Sequence, residues 1–261
     1  MVAAKRLAVF LIATFALLGC NKPSTDQVVE AIKNNPYLLA TAIKKNPEAF
    51  KDALGKAQQI LQQERAREQQ EQASKEMEKH FAEPLQPKLT SAQVYKGSDK
   101  ANIVIVEYTD FECPYCSRGS DSLKEVLKQY DGKVKVTVKH LPLPFHPNAM
   151  PAARYFEAVR LQNPKAAAQF HDAVFAKQGE LRQGGEKFLE AEAAKLGINK
   201  AKLKTDLKSD VITKKIEADM EEARTFGFRG TPSFLVGGVP VRGALPPEEF
   251  AKVIDRILTK K

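Results

Sequence analysis

"TDFECPYCSRGS", residues 109–120, is the stretch that decides the fold. The run "ANIVIVEY" (101–108) before it is rich in β-branched residues and predicts a buried strand. Apolar residues at helical spacing come after the stretch and predict a helix. The local structure is therefore a strand that ends at a Cys-x-x-Cys pair, Cys113 and Cys116, which in turn opens a helix.

This position of the cysteines favours thiol–disulfide exchange. The backbone N–H groups and the dipole at a helix N-terminus favour a thiolate over a thiol, so a cysteine there is nucleophilic near neutral pH. We expect Cys113 to attack or be attacked, and Cys116 to resolve the mixed disulfide that results.

Metal binding is the main competing use of these thiols. A structural zinc ion needs four ligands. The histidines show no ligand spacing; they are His80, His140, His146 and His171. We therefore predict no metal site within one chain. Two alternatives stay open: a copper ion shared between the thiolates of two chains, and an approach of His140 and His146 to the cysteines.

The composition is that of a soluble globular protein. Of 261 residues, 43% are hydrophobic and 28% are charged, and the formal net charge is +9. Lysines and acids are interleaved, as in "KAKLKTDLKSD" (200–210), whereas a nucleic-acid binder would more often concentrate its basic residues. We predict a solvated surface and no nucleic-acid partner.

The first residues have the pattern of an export signal. After a short basic start, the apolar run of residues 7–18 is too short to cross a bilayer comfortably. "LLGC" (17–20) is similar to a bacterial lipobox, so we expect residues 1–19 to be a lipoprotein signal peptide and Cys20 to carry the lipid. Cleavage after Ala16 and an uncleaved anchor are the alternatives.

Lipidation would leave a single pair of thiols. The chain has three cysteines, so assigning Cys20 to lipid leaves Cys113 and Cys116. An exported protein lies in an oxidising compartment, where stray thiols are a hazard and paired ones form disulfides. The retained pair is therefore expected to be functional in itself.

Residues 20–92 are predicted to be a helical N-terminal region. "IKNNP" (32–36) and "IKKNP" (43–47) each place Asn before Pro, which is typical of a helix start. We expect two short helices and a long third one that runs from Pro47 to about Glu83.

The third helix changes character along its length. Its first part carries a short apolar seam, formed by Phe50, Leu54, Ala57 and Leu61. Residues 62–76 have almost no apolar face, so this part is exposed, bridging or associated. Two interpretations stay open, a solvated linker helix and a stalk that joins copies of the chain. We favour a homo-oligomer formed through residues 24–85.

Strands and helices alternate from residue 93 onward. "KVKVTVKHL" (133–141) has period two and predicts a second strand. Residues 149–224 are predicted to be helical. "TPSFLVGGVPV" (231–241) predicts a hairpin turned by its two glycines, followed by a final helix.

Three motifs together resemble the DsbA-like branch of the thioredoxin superfamily. They are "VEYTDFECPYC" (106–116), "HLPLPFHPNAMPAARYFEAV" (140–159) and "GFRGTPSFLVGG" (227–238). The helical N-terminal region and the Cys-Pro-Tyr-Cys sequence look most like the periplasmic suppressor-of-copper-sensitivity thiol isomerases. The resemblance implies an α/β thioredoxin-like fold over residues 93–261 with a helical insertion at about 149–224. An all-helical N-terminal oligomerisation or spacer region precedes it.

The resemblance also implies roles at the active site. Cys113 would be the exposed nucleophile and Cys116 its buried partner, and the two would form the redox-active disulfide. Pro114 and Tyr115 between them would complete the motif.

Four further residues are implied to support this pair. Thr231 and Pro232 match the cis-proline loop that faces the active-site disulfide in the family. Glu107 and Lys139 fall on the two predicted central strands, where family members place a buried acid and base near the resolving cysteine. Charges in such strands are costly unless paired, so we expect Glu107 and Lys139 to pair.

The sequence therefore predicts a disulfide oxidoreductase, or isomerase, that forms, reduces or reshuffles disulfides. No separate cofactor is expected, because the cysteine pair is itself the redox group. The expected partners are unfolded or misfolded exported proteins and a membrane redox partner, oxidising or reducing. The expected location is the periplasm with a lipid anchor, and the outer membrane is favoured because Asn21 is not the Asp of an inner-membrane retention signal. A copper-binding envelope lipoprotein and a structural envelope lipoprotein are the alternatives.

Overall fold

The computed structural model describes residues 23–90 and 93–259. The chain divides into two compact units, one that ends at Gln70 and one that begins at Glu71. The expected signal peptide and Cys20 lie outside the described residues. Within the described part of the chain, no helix is both long enough and apolar enough to cross a membrane.

The N-terminal unit is helical, as the sequence predicts. Its helices are α1 (Thr25–Asn34), α2 (Pro36–Lys45) and the first part of α3 (Pro47–Ala82). Ser24 and Gln27 form a reciprocal capping box at the start of α1, and the Asn35 side chain accepts a hydrogen bond from the backbone N–H of Tyr37 at the start of α2. No side chain of α1, α2 or α3 is fully buried. The apolar side chains in the described part of this unit therefore remain at least partly exposed.

The second unit has the α/β thioredoxin-like fold that the sequence predicts. Its elements in chain order are β1 (Tyr95–Gly97), β2 (Ile103–Thr109), α4 (Pro114–Gln129), β3 (Val134–His140), α5 (Ala149–Gln162), α6 (Pro164–Ala176), α7 (Gln178–Lys195), α8 (Lys200–Asp206), α9 (Asp210–Thr225), β4 (Ser233–Val236), β5 (Val239–Arg242) and α10 (Pro247–Thr259). The strands form one mixed sheet in the order β1-β3-β2-β4-β5. Strands β2 and β3 run parallel, and the other neighbours are antiparallel.

The alternation of side chains along β2 builds a core on each face of the sheet. Ile103 and Ile105 pack with α4 and α10 on one face, where Phe250 and Ile254 are fully buried. Val106 and Tyr108 pack on the other face, where α9 contributes to the core. Burying both faces explains why this strand is a near-continuous β-branched run. The same burial fixes the end of the strand, just before the loop that leads to the cysteine motif.

The turn between β4 and β5 depends on two glycines. Gly237 and Gly238 have φ angles of +56° and +89°, the conformation that a tight hairpin turn requires. A side chain on Gly238 would also come within 2.6 Å of the Leu85 carbonyl oxygen. The predicted hairpin is confirmed, and its turn lies against the segment that follows α3.

The last turns of α3 belong to the second unit. Glu76 contacts Arg242 at 2.9 Å, and the carboxylate of Glu78 contacts the guanidinium of Arg256 at 2.5 Å. The Phe81 ring packs against the core under α10, with the Arg256 guanidinium 3.8 Å from its centroid. The second compact unit therefore includes the end of the helical region that the sequence assigned to residues 20–92.

Candidate active site

Cys113 occupies the N-cap position of α4, directly after the loop that follows β2. Its backbone is extended (φ −71°, ψ 121°), and Pro114 takes the first helical position, where a missing N–H costs nothing. The backbone N–H of Cys116 donates to the Cys113 carbonyl oxygen at 3.1 Å, and the N–H of Asp110 donates to Cys116 Sγ at 3.4 Å. The loop and the first turn of α4 thus hold both sulfurs, which are free thiols in this structure.

The two thiols differ strongly in acidity. A hydrogen bond with the Cys116 thiol, helped by the backbone N–H groups of Tyr115 and Cys116, lowers the pKa of Cys113 to about 5. Burial, together with the neighbouring Cys113 thiol, raises the pKa of Cys116 well above its ordinary value. At neutral pH Cys113 is therefore the thiolate and Cys116 the protonated thiol.

The surface of the site differs from the expectation in one respect. Only 4% of Cys113 is exposed, and Cys116 is completely buried. The expectation of an exposed Cys113 was thus wrong, because Cys113 belongs to a buried apolar cluster with Phe111 and Phe175, and its sulfur lies against the Thr231 carbonyl oxygen. The exposed members of the motif are Pro114 and Tyr115. Tyr115 is 54% exposed, with the guanidinium of Arg118 4.4 Å from its ring centroid. The difference between the two cysteines rests on acidity more than on exposure.

Thr231 and Pro232 lie beside the cysteines, as expected. Their peptide bond is cis, and Cys113 Sγ lies 3.6 Å from the Thr231 carbonyl oxygen. Pro232 in turn packs on α4 at Gly119, where an added Cβ would come within 3.0 Å of the proline ring. Close contact between α4 and the cis-proline loop therefore favours glycine at this position.

Glu107 and Lys139 are both buried, but the expected pair between them is wrong. In the parallel register, Glu107 lies opposite Val138, and Lys139 lies opposite Tyr108. The one-residue offset places the two side chains on opposite faces of the sheet. Glu107 therefore points to the face that carries α4 and the cysteines, and Lys139 points away from it.

Lys139 instead joins the sheet to the helical insertion. Its ammonium group pairs with Glu222 of α9, lies 3.9 Å from Asp219, and donates to the Lys88 carbonyl oxygen at 2.8 Å. The Tyr108 hydroxyl donates to the same Glu222 carboxylate at 2.5 Å. The buried lysine is thus compensated by acids of α9, and its role is to fasten α9 to the sheet.

Glu107 meets groups that the sequence analysis did not connect with the site. Its Oε1 accepts a hydrogen bond from the Thr109 hydroxyl at 2.9 Å, and its Oε2 lies 3.6 Å from Nε2 of His171 on α6. His171 had no visible link to the cysteines because it lies far away in sequence. The only local signal for Thr109 was its spacing of two from Glu107, which places both on one face of β2.

Two acids next to the cysteines hold the loop that follows β3. Asp110 accepts hydrogen bonds from the Leu143 backbone N–H at 2.9 Å and from His146 Nδ1 at 2.8 Å. Glu112 accepts from the backbone N–H of Asn148 at 2.6 Å. His146 therefore does approach the active-site loop, and the acids flanking Phe111 in "DFEC" were the sequence signal for this contact.

Gln178, at the start of α7, was also missed from the sequence. Its side-chain amide donates to the carbonyl oxygens of Phe111 and Cys113, both at 2.9 Å. It fixes the backbone that presents the nucleophile, from an element of the helical insertion. His140, in contrast, bonds to the helical insertion. Its Nε2 lies 2.9 Å from Glu157 of α5.

The described residues contain no cluster of three or more histidine, cysteine or acidic side chains that could hold a metal ion. Cys113 and Cys116 supply two ligands, fewer than a structural zinc site uses.

The chain belongs to the thioredoxin family, whose profile matches residues 88–256. The match begins before β1 and ends within α10, so it includes the cysteine motif, the cis-proline loop and the helical insertion.

Proteins of known structure share this fold. ScsC of Proteus mirabilis in a transitional conformation is 25% identical, with a TM-score of 0.56, over 89% of this chain and 99% of that chain. The ScsC catalytic domain alone is 25% identical, with a TM-score of 0.55, over 65% of this chain and 91% of that chain. Oxidised BdbD of Bacillus subtilis, at 24% identity and a TM-score of 0.60 over 67% and 97% of the two chains, shows the same fold.

A sodium/proton antiporter is similar to this chain over part of its length. NhaA of Herminiimonas arsenicoxydans is 31% identical over 160 residues, which is 61% of this chain and 25% of the antiporter. The chain spans about a quarter of the length of the curated relatives it matches first. Antiport is an activity of those longer proteins.

The acidity of Cys113 predicts a pH profile for its alkylation. Because only the thiolate reacts, the rate with iodoacetamide should be half-maximal at about pH 5 and fall about tenfold per pH unit below that. Above that midpoint the rate should rise about twofold and be flat from about pH 6 to neutral pH, and Cys116 should label far more slowly. The urea-unfolded protein is the control, with its midpoint near the ordinary cysteine pKa of about 8.5. Equal midpoints in the native and unfolded protein would contradict the assignment.

Proposed function

We propose that this protein is a lipid-anchored periplasmic thiol–disulfide oxidoreductase, and an isomerase, that acts on exported proteins through Cys113 and Cys116. The substrates are unfolded or misfolded chains, and a membrane redox partner restores the starting redox state of the pair. One observation supports this proposal above the others. The low-pKa Cys113 lies at a helix N-terminus beside the buried, protonated Cys116 and against Thr231 of the cis-proline loop.

This arrangement suits exchange because the two steps need opposite properties. The first step needs a thiolate that attacks a substrate disulfide, and Cys113 is one at neutral pH. The second step needs a protected thiol that attacks only the mixed disulfide already formed on Cys113, and burial gives Cys116 that protection. The exposed Tyr115 next to the nucleophile offers an aromatic surface to the substrate.

Exchange is tested with a protein that contains scrambled disulfides. Wild-type protein should reshuffle it, Cys113→Ser should abolish reaction, and Cys116→Ser should accumulate mixed disulfides because attack proceeds without resolution. Mixed disulfides are detected as adducts that a reducing agent removes. Ser122→Cys in the Cys113→Ser background is the control for an unpositioned thiol.

Two outcomes would favour other functions. A wild-type protein that reshuffles nothing would support a structural envelope lipoprotein with a vestigial redox domain. Copper bound at one ion per two chains, with loss of titratable thiols, would support the copper-binding lipoprotein.

We propose that the isomerase is a homo-oligomer joined through the N-terminal helices. In this unit Leu54, Ile60 and Leu61 of α3 are each at least half exposed, and α1 and α2 expose further apolar side chains: Val28, Val29, Tyr37, Leu38 and Leu39. So much apolar surface on one helical unit is typical of a surface that another chain covers.

Association would serve isomerase activity in particular. Reshuffling a wrong disulfide requires the enzyme to hold a misfolded chain while one thiolate attacks and is later expelled. Linking several weak binding sites raises the overall affinity by about 10²–10⁴ without any new contact. The oligomer is therefore expected to matter for misfolded proteins and not for small dithiols.

Charges placed in the seam test the oligomer. Leu54→Glu with Leu61→Glu should give a monomer by light scattering, because burying two carboxylates in an apolar contact is unfavourable. Isomerase activity should fall at least tenfold, while reduction of a small disulfide stays unchanged. Gln59→Glu with Gln63→Glu, on the opposite face of the same helix, is the matched control. A monomeric wild-type protein with full isomerase activity would leave residues 24–70 as a tether only.

The proposed anchor is the lipid on Cys20. It rests on the "LLGC" sequence at 17–20. Mature protein should partition with membranes and carry the added mass of acyl chains, since two or more chains give stable anchoring. Cys20→Ser should leave a soluble or unprocessed form whose thiol exchange is intact. Unmodified protein found free in the periplasm would refute the anchor.

A further inference from the structure

Two walls border the entrance to Cys113. One wall is the first turns of α4 and the other is the cis-proline loop, and they meet where Pro232 packs against α4 at Gly119. Cys113 lies between them, with its sulfur 3.6 Å from the Thr231 carbonyl oxygen. A substrate disulfide that reaches this sulfur therefore passes both walls, and each wall carries an arginine.

Arg118 is on the wall formed by α4. Tyr115 and Gly119 are four residues apart, so they share one face of the helix, and the contact at Gly119 shows that this face is turned toward the cis-proline loop. The Arg118 guanidinium lies 4.4 Å from the centroid of the Tyr115 ring. The charge of Arg118 is therefore held over one of the two residues that separate the cysteines.

Arg229 is on the wall formed by the cis-proline loop. It precedes Thr231 by two residues, so the Cα atoms of the two are at most about 7.6 Å apart. A Cβ added to Gly230 between them would meet no atom within 4 Å, so this part of the loop faces open space. Arg118 and Arg229 are both exposed. Both side chains therefore border the route to the Cys113 sulfur.

The acids closest in sequence to these walls have other partners. Asp121, one turn beyond Arg118 on α4, pairs with Lys124 at 2.8 Å. The acids of the cysteine motif, Asp110 and Glu112, are buried and hold the loop that follows β3. In the part of the chain that the structure describes, neither arginine forms an ion pair with an acid.

The other charges near the entrance leave its balance positive. Arg242, which follows the cis-proline loop on β5, is paired with Glu76 at 2.9 Å. Glu180 is an exposed acid on the side of the insertion, two residues after the Gln178 side chain that bonds to the Cys113 carbonyl oxygen. It offsets at most one of the two positive charges.

Guanidinium groups suit carboxylates in particular. A guanidinium presents five N–H donors in a planar arrangement that matches the two oxygens of a carboxylate. The face of the Tyr115 ring attracts the Arg118 cation and so helps to hold it at the entrance. A positive potential at the mouth of a site also raises the association rate of anionic substrates.

We propose that Arg118 and Arg229 make this active site select disulfides flanked by carboxylates, which in an exported protein are cysteines next to aspartate or glutamate. This inference rests on the proposed thiol–disulfide exchange and names its substrate class.

The arginines act on the first step of exchange. The Cys113 thiolate attacks one sulfur of the substrate, and the bond between Cys113 and that sulfur forms as the substrate S–S bond breaks. The second sulfur leaves as a thiolate with the electron pair of that bond. The two guanidinium groups offset the negative charge of the flanking carboxylates and of the departing thiolate.

Three small disulfides of similar length test the preference, because they differ in charge. Dithiodipropionate carries two carboxylates, hydroxyethyl disulfide is neutral, and cystamine carries two ammonium groups. Reduced full-length protein is mixed with each at neutral pH and quenched in acid, and loss of the free dithiol is followed by mass. Dithiodipropionate should react at least about tenfold faster than cystamine, the lower range for electrostatic steering. In about 1 M salt, where the Debye length is about 3 Å, the ratio should fall below about threefold.

Charge variants assign the preference to the two arginines. Arg118→Gln with Arg229→Gln should slow the reaction of dithiodipropionate about tenfold and leave hydroxyethyl disulfide within about twofold of wild type. Arg118→Lys with Arg229→Lys keeps both charges and should retain a preference for dithiodipropionate. Lys128→Gln is the control, because it removes a charge about 15 Å further along α4. It should change none of the three rates by more than about twofold, since this separation exceeds the Debye length of about 10 Å at 0.1 M salt.

The outcomes distinguish this inference from the function on which it rests. Equal rates for the three disulfides in the wild-type protein, or a preference for cystamine, would overturn the inference and leave the oxidoreductase intact. A wild-type preference that the glutamine variant keeps would also overturn it, and so would an equal loss of all three rates, because neither reports selection by these charges. A wild-type protein that reacts with none of the three disulfides would overturn the proposed function itself.

Discussion

The structure depends on the direct passage from strand β2 into helix α4. The strand is buried on both faces, so its end is fixed, and the helix must begin within a few residues to keep packing on the same sheet. Cys113 takes the N-cap position at this junction, next to the backbone N–H groups of the first helical turn. The acidity of Cys113 follows from this placement, and so does the burial of Cys116 one turn further on.

The helical insertion completes the site. Gln178 of α7 holds the carbonyl oxygens of the nucleophile's loop, and His171 of α6 faces Glu107. On the opposite face of the sheet, Lys139 and Tyr108 share the Glu222 carboxylate of α9. The insertion is therefore attached on both faces of the sheet, and a shift of these helices would move groups that contact the active-site loop.

Local patterns in the sequence were sufficient for the fold and for the reactive pair. Three short patterns each indicate their own structure: the β-branched run before Cys113, the period-two strand at 133–141 and the Gly237–Gly238 turn. The three-residue strand β1 is too short to show a period, and it was missed. The pairing of Glu107 with Lys139 was wrong because the strands, though correctly identified, have a register that only the folded sheet determines. His171 and Gln178 join the site through contacts across the fold, for which a single sequence carries no local signal.

The attachment of α3 to the second unit has a consequence for the limits of an independent catalytic fragment. The family match begins at residue 88, but the physical unit begins at Glu71. A fragment cut at the family limit would lose Phe81 from under α10 and strip the carboxylate partners from Arg242 and Arg256. It would also uncover Val241 and Val253, which line a groove with Met77 and His80. Sequence families record what recurs among relatives, whereas the boundary of a folding unit lies where its last apolar side chain is covered.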